Sequence, residues 1–176
     1  MDKQIVYAGK YGTTERYARY LAEKIGILAV SADAAPMNPD AMMIIHFGAL
    51  YAGKVMGLQN TLRILPARAR LVLVTVGLVD VQDAECVAHI RQAISRQVPE
   101  EVLRRTDIFH LRGGIDYQKL SFVHKTMMTL LCGKVRRLPE EQKTAEIRVM
   151  LETYGQTVDF TDLHSLDPVI AAIQTC

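Results

Sequence analysis

A glycine-containing segment near the start of the chain has the residue types needed to bind a phosphate group. It lies between a predicted strand and a predicted helix, and its candidate phosphate-binding residues are Gly9, Lys10, Tyr11, Gly12, Thr13 and Thr14. Glycines permit a tight turn, free N–H groups at a helix start attract anions, and threonine hydroxyls donate further hydrogen bonds. The glycines are three residues apart and no Gly-Lys-Ser/Thr ending follows, so nucleoside triphosphate and dinucleotide loops are disfavoured. A strand-to-helix turn capped by threonine is an equally good interpretation.

Two further segments follow predicted strands and have the composition to contact a flat ring. Ligands of open parallel sheets bind beyond the carboxyl ends of the strands. The first segment has small residues around one aromatic side chain, and its candidates are Ala49, Leu50, Tyr51, Ala52 and Gly53. The second segment could present backbone groups to the edge of a ring, and its candidates are Thr75, Val76, Gly77 and Leu78. Taken alone, the first segment is better explained as a loop whose Tyr51 packs on the surface, and the second is only a weak signal.

Five short apolar runs alternate with helical periodicities, which is typical of an α/β fold with a parallel sheet. The predicted strands are Gln4–Ala8, Ile27–Ser31, Met43–Gly48, Leu71–Val76 and Asp107–Leu111. Helical spacing predicts helices through residues 18–25, 55–65 and 86–94, the last capped by Asp83, and a final helix near Leu163–Gln174. The link between the second and third strands is predicted to lack a full helix. The 176 residues are predicted to form a single domain.

The regular alternation stops after Gly113 and Gly114. Residues 113–156 are predicted to be a helical insertion after the fifth strand, with one helix through Leu120–Leu131 and a second, opened by Pro139-Glu140-Glu141, through Ile147–Tyr154. Several cations surround the first helix: Lys119, Lys125, Lys134, Arg136 and Arg137. They indicate either an element that contacts a membrane surface or an acidic substrate, or a core-packed helix with cations near its C-terminus.

The composition excludes several classes of protein. Hydrophobic residues make up 49% of the chain and charged residues 23%, so a disordered or fibrous protein is excluded. The longest uncharged stretch, residues 41–53, is too short to span a membrane. The formal net charge of +2 does not favour a nucleic-acid partner. Three separated cysteines and an N-terminus without a signal peptide favour a reduced, cytoplasmic location, and no metal site is predicted.

The segment of residues 5–18, IVYAGKYGTTERYA, resembles the flavodoxin signature, although Gly9 stands where flavodoxins usually carry serine or threonine. Three further stretches resemble flavodoxin-like, menaquinone-dependent protoporphyrinogen oxidases: residues 48–54, residues 74–79, and the run from Arg112 through Tyr117 and Phe122 to Gly133. This resemblance implies a three-layer α/β/α sandwich with the strand order 2-1-3-4-5. It also implies FMN as the cofactor, bound by the candidate residues of the three segments.

The function favoured by the resemblance is an FMN-dependent oxidoreductase that passes electrons from an organic substrate to a quinone or a redox partner protein. No side chain is assigned as a catalytic base, because the flavin carries the redox chemistry. The insertion is expected to form an apolar wall (Leu120, Phe122, Val123, Met127, Leu131) with a cationic rim (Lys119, Lys125, Arg136, Arg137), and to contact substrate, quinone or the inner membrane face. Two alternatives stay open: an electron-transfer flavodoxin that docks on proteins, and a flavin-free flavodoxin-like binding module.

Overall fold

The central element of the fold is a parallel β-sheet. The computed structural model describes residues 2–51, 53–119 and 122–174. The sheet is formed by β1 (Lys3–Ala8), β2 (Ala29–Ser31), β3 (Met43–Tyr51), β5 (Arg70–Gly77) and β6 (Thr106–Arg112), in the order β2-β1-β3-β5-β6; a short strand β4 (Lys54–Val55) pairs antiparallel with β3. Ile5 of β1 lies between Ala29 and Ile45 of its two neighbours. The predicted order 2-1-3-4-5 of the five core strands is therefore confirmed.

Helices cover both faces of the sheet and form the outer two layers. They are α1 (Thr13–Ile25), α2 (Leu58–Ile64), α3 (Ala84–Ser95), α4 (Glu100–Leu103) and α7 (Asp167–Gln174). Alternate strand residues face opposite layers: Val72 and Val74 pack against α1 and α7, whereas Leu71 and Leu73 pack against α2 and α3. Two predicted helix ends are confirmed, because Gly26 terminates α1 with φ 71° and the Asp83 carboxylate accepts hydrogen bonds at the start of α3.

The region after β3 differs from the prediction. The strand does not end at Gly48 but continues to Tyr51 and turns back into β4, so the predicted ring-contact segment is largely a hairpin. Val55 was predicted to lie in a helix, but it is a buried residue of β4, and α2 starts only after Gly57, which has φ 70°. The second strand also starts later than predicted, at Ala29, because the chain is still leaving the cap of α1 at Ile27.

The insertion has a small sheet at its base, which the sequence did not predict. Strand β7 (Gly114–Asp116) pairs antiparallel with β8 (Thr157–Asp159), and Asp116 lies opposite Thr157. Between them lie α5 (Phe122–Arg136) and α6 (Ala145–Glu152). Pro139-Glu140-Glu141 does not open α6: residues 140–142 form a separate 3₁₀ turn, and the Thr144 hydroxyl caps α6 by accepting from the Ile147 N–H. In the described ranges, no helix combines the length and apolar character required to cross a membrane.

Candidate functional site

A cavity of about 320 Å³ opens where the predicted ligand-binding segments meet, at the carboxyl ends of the parallel strands. One side consists of residues from the three predicted segments: Lys10, Tyr11, Thr13, Thr14, Ala49, Leu50, Tyr51, Val76, Gly77 and Leu78. The other side consists of residues from the insertion: Ile115, Tyr117, Met128, Leu131, Val135, Thr144, Ile147 and Met150. The fold therefore brings most of the candidate residues together and places the insertion over them.

Five of the candidate residues are not placed on the cavity wall. Ala52 lies outside the described residues. The backbones of Gly9 and Gly12 form the turn behind the wall, and Gly53 lies at the tip of the β3–β4 hairpin with φ 73°. Thr75 is fully buried, and its hydroxyl lies 2.7 Å from His110 Nδ1. Its side chain faces the layer of α2 and α3 because neighbouring residues of a strand point to opposite faces.

The turn between β1 and α1 has the form of an anion cradle. Gly12 is the residue before α1 and has φ 83°, a left-handed conformation that glycine adopts without strain. No side chain of the described chain caps this end of α1, so the interpretation as a threonine-capped turn is wrong. Thr13 and Thr14 line the cavity at the uncapped end of the helix. The helix start therefore keeps N–H groups for a ligand such as a phosphate.

Gly9 leaves space for the side chain of Thr14. A Cβ atom at residue 9 would lie only 2.6 Å from Thr14 Oγ1 and 2.8 Å from Thr14 Cβ. Thr14 is 2% exposed, so its side chain has little room to move away. Thr14, at the start of α1, therefore occupies the space that a serine or threonine side chain at residue 9 would need.

Tyr51 connects the phosphate turn, the hairpin and the insertion. Lys10 Nζ lies 4.9 Å from the centre of the Tyr51 ring, which is a cation–π contact. The Tyr51 hydroxyl donates to Met127 Sδ at 3.7 Å. Tyr51 is half-buried and belongs to a cluster of apolar residues with Tyr117 and Met128. A planar ligand in this cavity would therefore meet aromatic and apolar side chains.

The insertion supplies a different wall from the predicted one. Leu131 lines the cavity as predicted, but Phe122 is 84% exposed and Met127 38% exposed. Leu120 and the side chains of Lys119 and Val123 lie outside the described set. The inner stripe of α5 is instead Met128, Leu131 and Val135, joined by Ile147 and Met150 of α6. Spacing of three and four residues from Met128 was the signal for this stripe, whereas the prediction placed Met127 in the wall instead of Met128.

Burial sets the protonation of the aromatic hydroxyls beside the cavity. Burial raises the pKa of Tyr117, and neighbouring Cys132 and Tyr11 raise it further. The pKa of Tyr11 is also raised, mainly by burial. Both hydroxyls therefore stay neutral at physiological pH.

The described chain contains no group of three or more His, Cys, Asp and Glu side chains that could hold a metal ion.

The sheet order and the uncapped turn at the start of α1 define a flavodoxin-like α/β protein. The chain belongs to the flavodoxin domain family, whose family model matches residues 4–140. Flavodoxin domains bind flavin, usually FMN. A crystal structure of oxidised flavodoxin 2 from Bacillus cereus is similar at 13% identity and a TM-score of 0.37, and the similarity covers 64% of this chain and 86% of that one. No curated protein has a significant match.

The residues at the cavity fit FMN. The volume lies within the range of about 300–1,000 Å³ that is usual for small-molecule sites. The uncapped start of α1 and the hydroxyls of Thr13 and Thr14 suit a phosphate, and Lys10 adds a positive charge beside them. Tyr51, Leu78 and the insertion residues form an apolar surface for the ring.

Proposed function

We propose that this protein binds FMN and passes electrons from an organic substrate to a quinone or a similar acceptor, as a relative of the flavodoxin-like protoporphyrinogen oxidases. In each catalytic cycle the substrate loses two electrons and two protons, and one quinone gains them as a quinol; complete oxidation of a porphyrinogen to a porphyrin takes three such cycles. Bound FMN supplies the redox chemistry. The residues of this chain have the tasks of binding the phosphate, orienting the ring and keeping water away from it.

The observation that carries this proposal is the position of the insertion over the cavity. Met128, Leu131 and Val135 of α5 and Ile147 and Met150 of α6 line the cavity opposite the flavodoxin core. A protein that only transfers electrons to other proteins needs an exposed flavin edge and gains nothing from such a wall. An oxidoreductase that acts on a large apolar molecule needs a shaped apolar surface next to the flavin. The insertion supplies that surface.

The outer face of α5 supports contact with an anionic membrane surface, from which a lipid-soluble quinone would arrive. Phe122 and Leu130 are 84% and 70% exposed and lie eight residues apart, which places them on one side of the helix. The exposed cations at this face and its C-terminal end are Lys125, Lys134, Arg136 and Arg137. Exposed apolar side chains flanked by cations are typical of helices that lie on membrane surfaces.

A second candidate is an electron-transfer flavodoxin that docks on a redox protein. The family match favours it as much as the oxidase, and the same exposed residues Phe122 and Leu130 could bind a protein. The formal net charge of +2 argues against it, because electron-transfer flavodoxins are usually strongly acidic.

The experiment that tests the proposal begins with the cofactor. We expect the purified protein to be yellow, or to become so when FMN is added, and the released flavin to be FMN by chromatography. The FMN-loaded protein should then oxidise protoporphyrinogen with a naphthoquinone as acceptor. A loaded protein that reduces a redox protein but oxidises no porphyrinogen would favour the electron carrier, and a protein that takes up no flavin would favour the binding module.

A further inference from the structure

The β3–β4 hairpin, described for residues 49–51 and 53–56, carries Tyr51 into the cavity and is held from two sides by polar side chains outside the cavity. We propose that His46 and Gln97 are positioning residues that fix this hairpin, and with it the ring-contact wall of the site. The functional part of this inference rests on the proposed binding of FMN. Neither residue contacts the cavity, so each acts only through the hairpin.

His46 holds the hairpin from inside the core. Its side chain is fully buried on β3, with Nε2 2.9 Å from the Met56 carbonyl and Nδ1 2.8 Å from Thr61 Oγ1. A carbonyl oxygen can only accept, so Nε2 carries the proton and Nδ1 accepts from the threonine hydroxyl. Burial lowers the pKa of His46 to about 4, which keeps this neutral form at physiological pH. Met56 itself lines the cavity.

Two glycines leave the space that the His46 ring occupies. A Cβ atom on Gly48 would lie 2.8 Å from His46 Nε2, and a Cβ atom on Gly57 would lie 3.3 Å from His46 Cε1. The N–H of Met56 donates to the Ala49 carbonyl at 2.9 Å. Met56 is therefore held through its N–H by β3 and through its carbonyl by His46.

Gln97 holds the hairpin from the side of α3. Its Oε1 accepts from the Val55 N–H at 3.0 Å, and its Nε2 donates to the Gly53 carbonyl at 3.1 Å. Nε2 also donates to the Ala93 carbonyl at the end of α3, at 2.9 Å, so the amide is itself held in place. The Gln97 side chain thus forms hydrogen bonds with backbone groups at the outer edge of β4 and at the tip of the hairpin, as the backbone of an additional strand would.

The consequence for binding is preorganisation. A wall that is already rigid before a ligand enters loses little conformational freedom on binding, and this strengthens the affinity. Gln97→Ala should free the hairpin and weaken FMN binding about three- to tenfold, in proportion to one or two lost hydrogen bonds. The same variant should reduce the quenching of flavin fluorescence by Tyr51.

Amide hydrogen exchange of Val55 tests the inference without any flavin. Gln97→Ala should speed exchange of the Val55 N–H at least tenfold. Gln97→Glu keeps the acceptor for this N–H but loses the donor to Gly53, so it should retain Val55 protection and still weaken FMN binding. The control is Gln59→Ala: Gln59 is exposed, and within the described ranges its side chain donates to the backbone carbonyl of Gln97 alone, so both readouts should stay at the wild-type level.

His46→Leu provides a second, independent variant that removes the bond to the Met56 carbonyl, so the hairpin should loosen, the Met56 N–H that donates to Ala49 should exchange faster, and FMN should bind more weakly. Wild-type exchange of Val55 in Gln97→Ala would overturn the inference. So would fast exchange with an unchanged FMN affinity, because the hairpin would then be held without any effect on the site. A wild-type protein that binds no FMN would refute the proposed function and the link to the site, while the exchange rates would still decide whether these residues hold the hairpin.

Discussion

The Lys10 ammonium lies 4.9 Å from the centre of the Tyr51 ring, although Lys10 follows β1 and Tyr51 is the last residue of β3. The contact joins the phosphate turn to the ring-contact hairpin. A cation over an exposed aromatic face contributes about 0.5–1 kcal/mol. Lys10 can therefore stabilise the orientation of Tyr51 and remain beside the position proposed for the phosphate.

The first prediction concerns Tyr51 as the ring contact. Tyr51→Ala should weaken FMN binding at least several-fold, because a stacked aromatic pair contributes roughly 0.5–1.5 kcal/mol beyond its buried area. It should also brighten the fluorescence of bound flavin, since tyrosine stacking quenches it. Tyr51→Phe keeps the ring and loses only the hydroxyl contact with Met127 Sδ, so it should bind like wild type. Fluorescence titration measures both effects, and full quenching in the alanine variant would show that another residue covers the ring.

The second prediction concerns Gly12 in the phosphate turn. Nothing lies within 4 Å of a Cβ atom at this position, so the obstacle to a side chain is the φ of 83° and not a collision. Gly12→Val should cost about 1–2 kcal/mol of stability and weaken FMN binding at least tenfold as the turn changes shape.

Gly26→Val is the matched control for Gly12→Val. Gly26 has φ 71° at the other end of the same helix, also with nothing within 4 Å, and lies away from the cavity. The control should lose a similar amount of stability in urea unfolding and keep its FMN affinity. Equal FMN binding by both variants would mean that the cradle lies elsewhere.

The third prediction concerns the insertion. Asp116 and Thr157 are a cross-strand pair, so residues 117–156 can be replaced by an Asn-Gly turn that joins β7 directly to β8. Gly113 must stay, because its N–H donates to Gly77 and its carbonyl accepts from Phe160. The shortened protein should fold and still bind FMN through the phosphate turn, with lower affinity. Oxidation of protoporphyrinogen with quinone should fall at least tenfold, and an unchanged rate would reduce the insertion to a structural role.

The fourth prediction concerns the exposed face of α5. The double variant Phe122→Ser/Leu130→Ser should float less with anionic liposomes, and added salt should weaken flotation of the wild type by screening the cations. Leu28→Ser is the control: Leu28 is as exposed as Phe122, at 84%, but follows the cap of α1 at the opposite edge of the sheet. Equal flotation of all three proteins would remove the membrane from the proposal.

The fifth prediction concerns stability in acid. Burial lowers the pKa of His46 from 6.5 to about 4, so between these values the unfolded chain binds a proton that the folded chain does not. The contribution of His46 to stability should therefore decrease as the pH falls from 6.5 towards 4, with a slope approaching about 1.4 kcal/mol per pH unit. The pKa of His110 is lowered in the same direction, by burial and then by Arg91. Urea unfolding at pH 7, 6 and 5 measures the slope.

Two variants separate the source of that slope. His46→Gln should reduce the slope by about half and lower the stability at pH 7, because His110 still contributes its share. His110→Gln should remove a comparable part of the slope, because burial lowers the pKa of His110 as well. An unchanged slope in His46→Gln would assign the acid sensitivity to other groups.

The sequence by itself determined the core of this protein because the core depends on local patterns. Continuous apolar runs such as Leu71–Val76 are typical of strands buried on both faces, and the cap residues Gly26 and Asp83 act on backbone groups a few residues away. The candidate residues near the ends of three strands were found for the same reason, since parallel strands place their carboxyl ends at one edge of the sheet.

Only the tertiary structure decided how the site is walled and held. The pairing of Asp116 with Thr157, the amide of Gln97 on Gly53, and the face of α5 that turns inward each depend on partners distant in the chain. Nothing local marks such partners, because hydrogen bonds to a backbone carbonyl or N–H carry no sequence signal at the accepting or donating residue. On α5, apolar residues on more than one side allowed two registers, and packing against the cavity selected the stripe that begins at Met128.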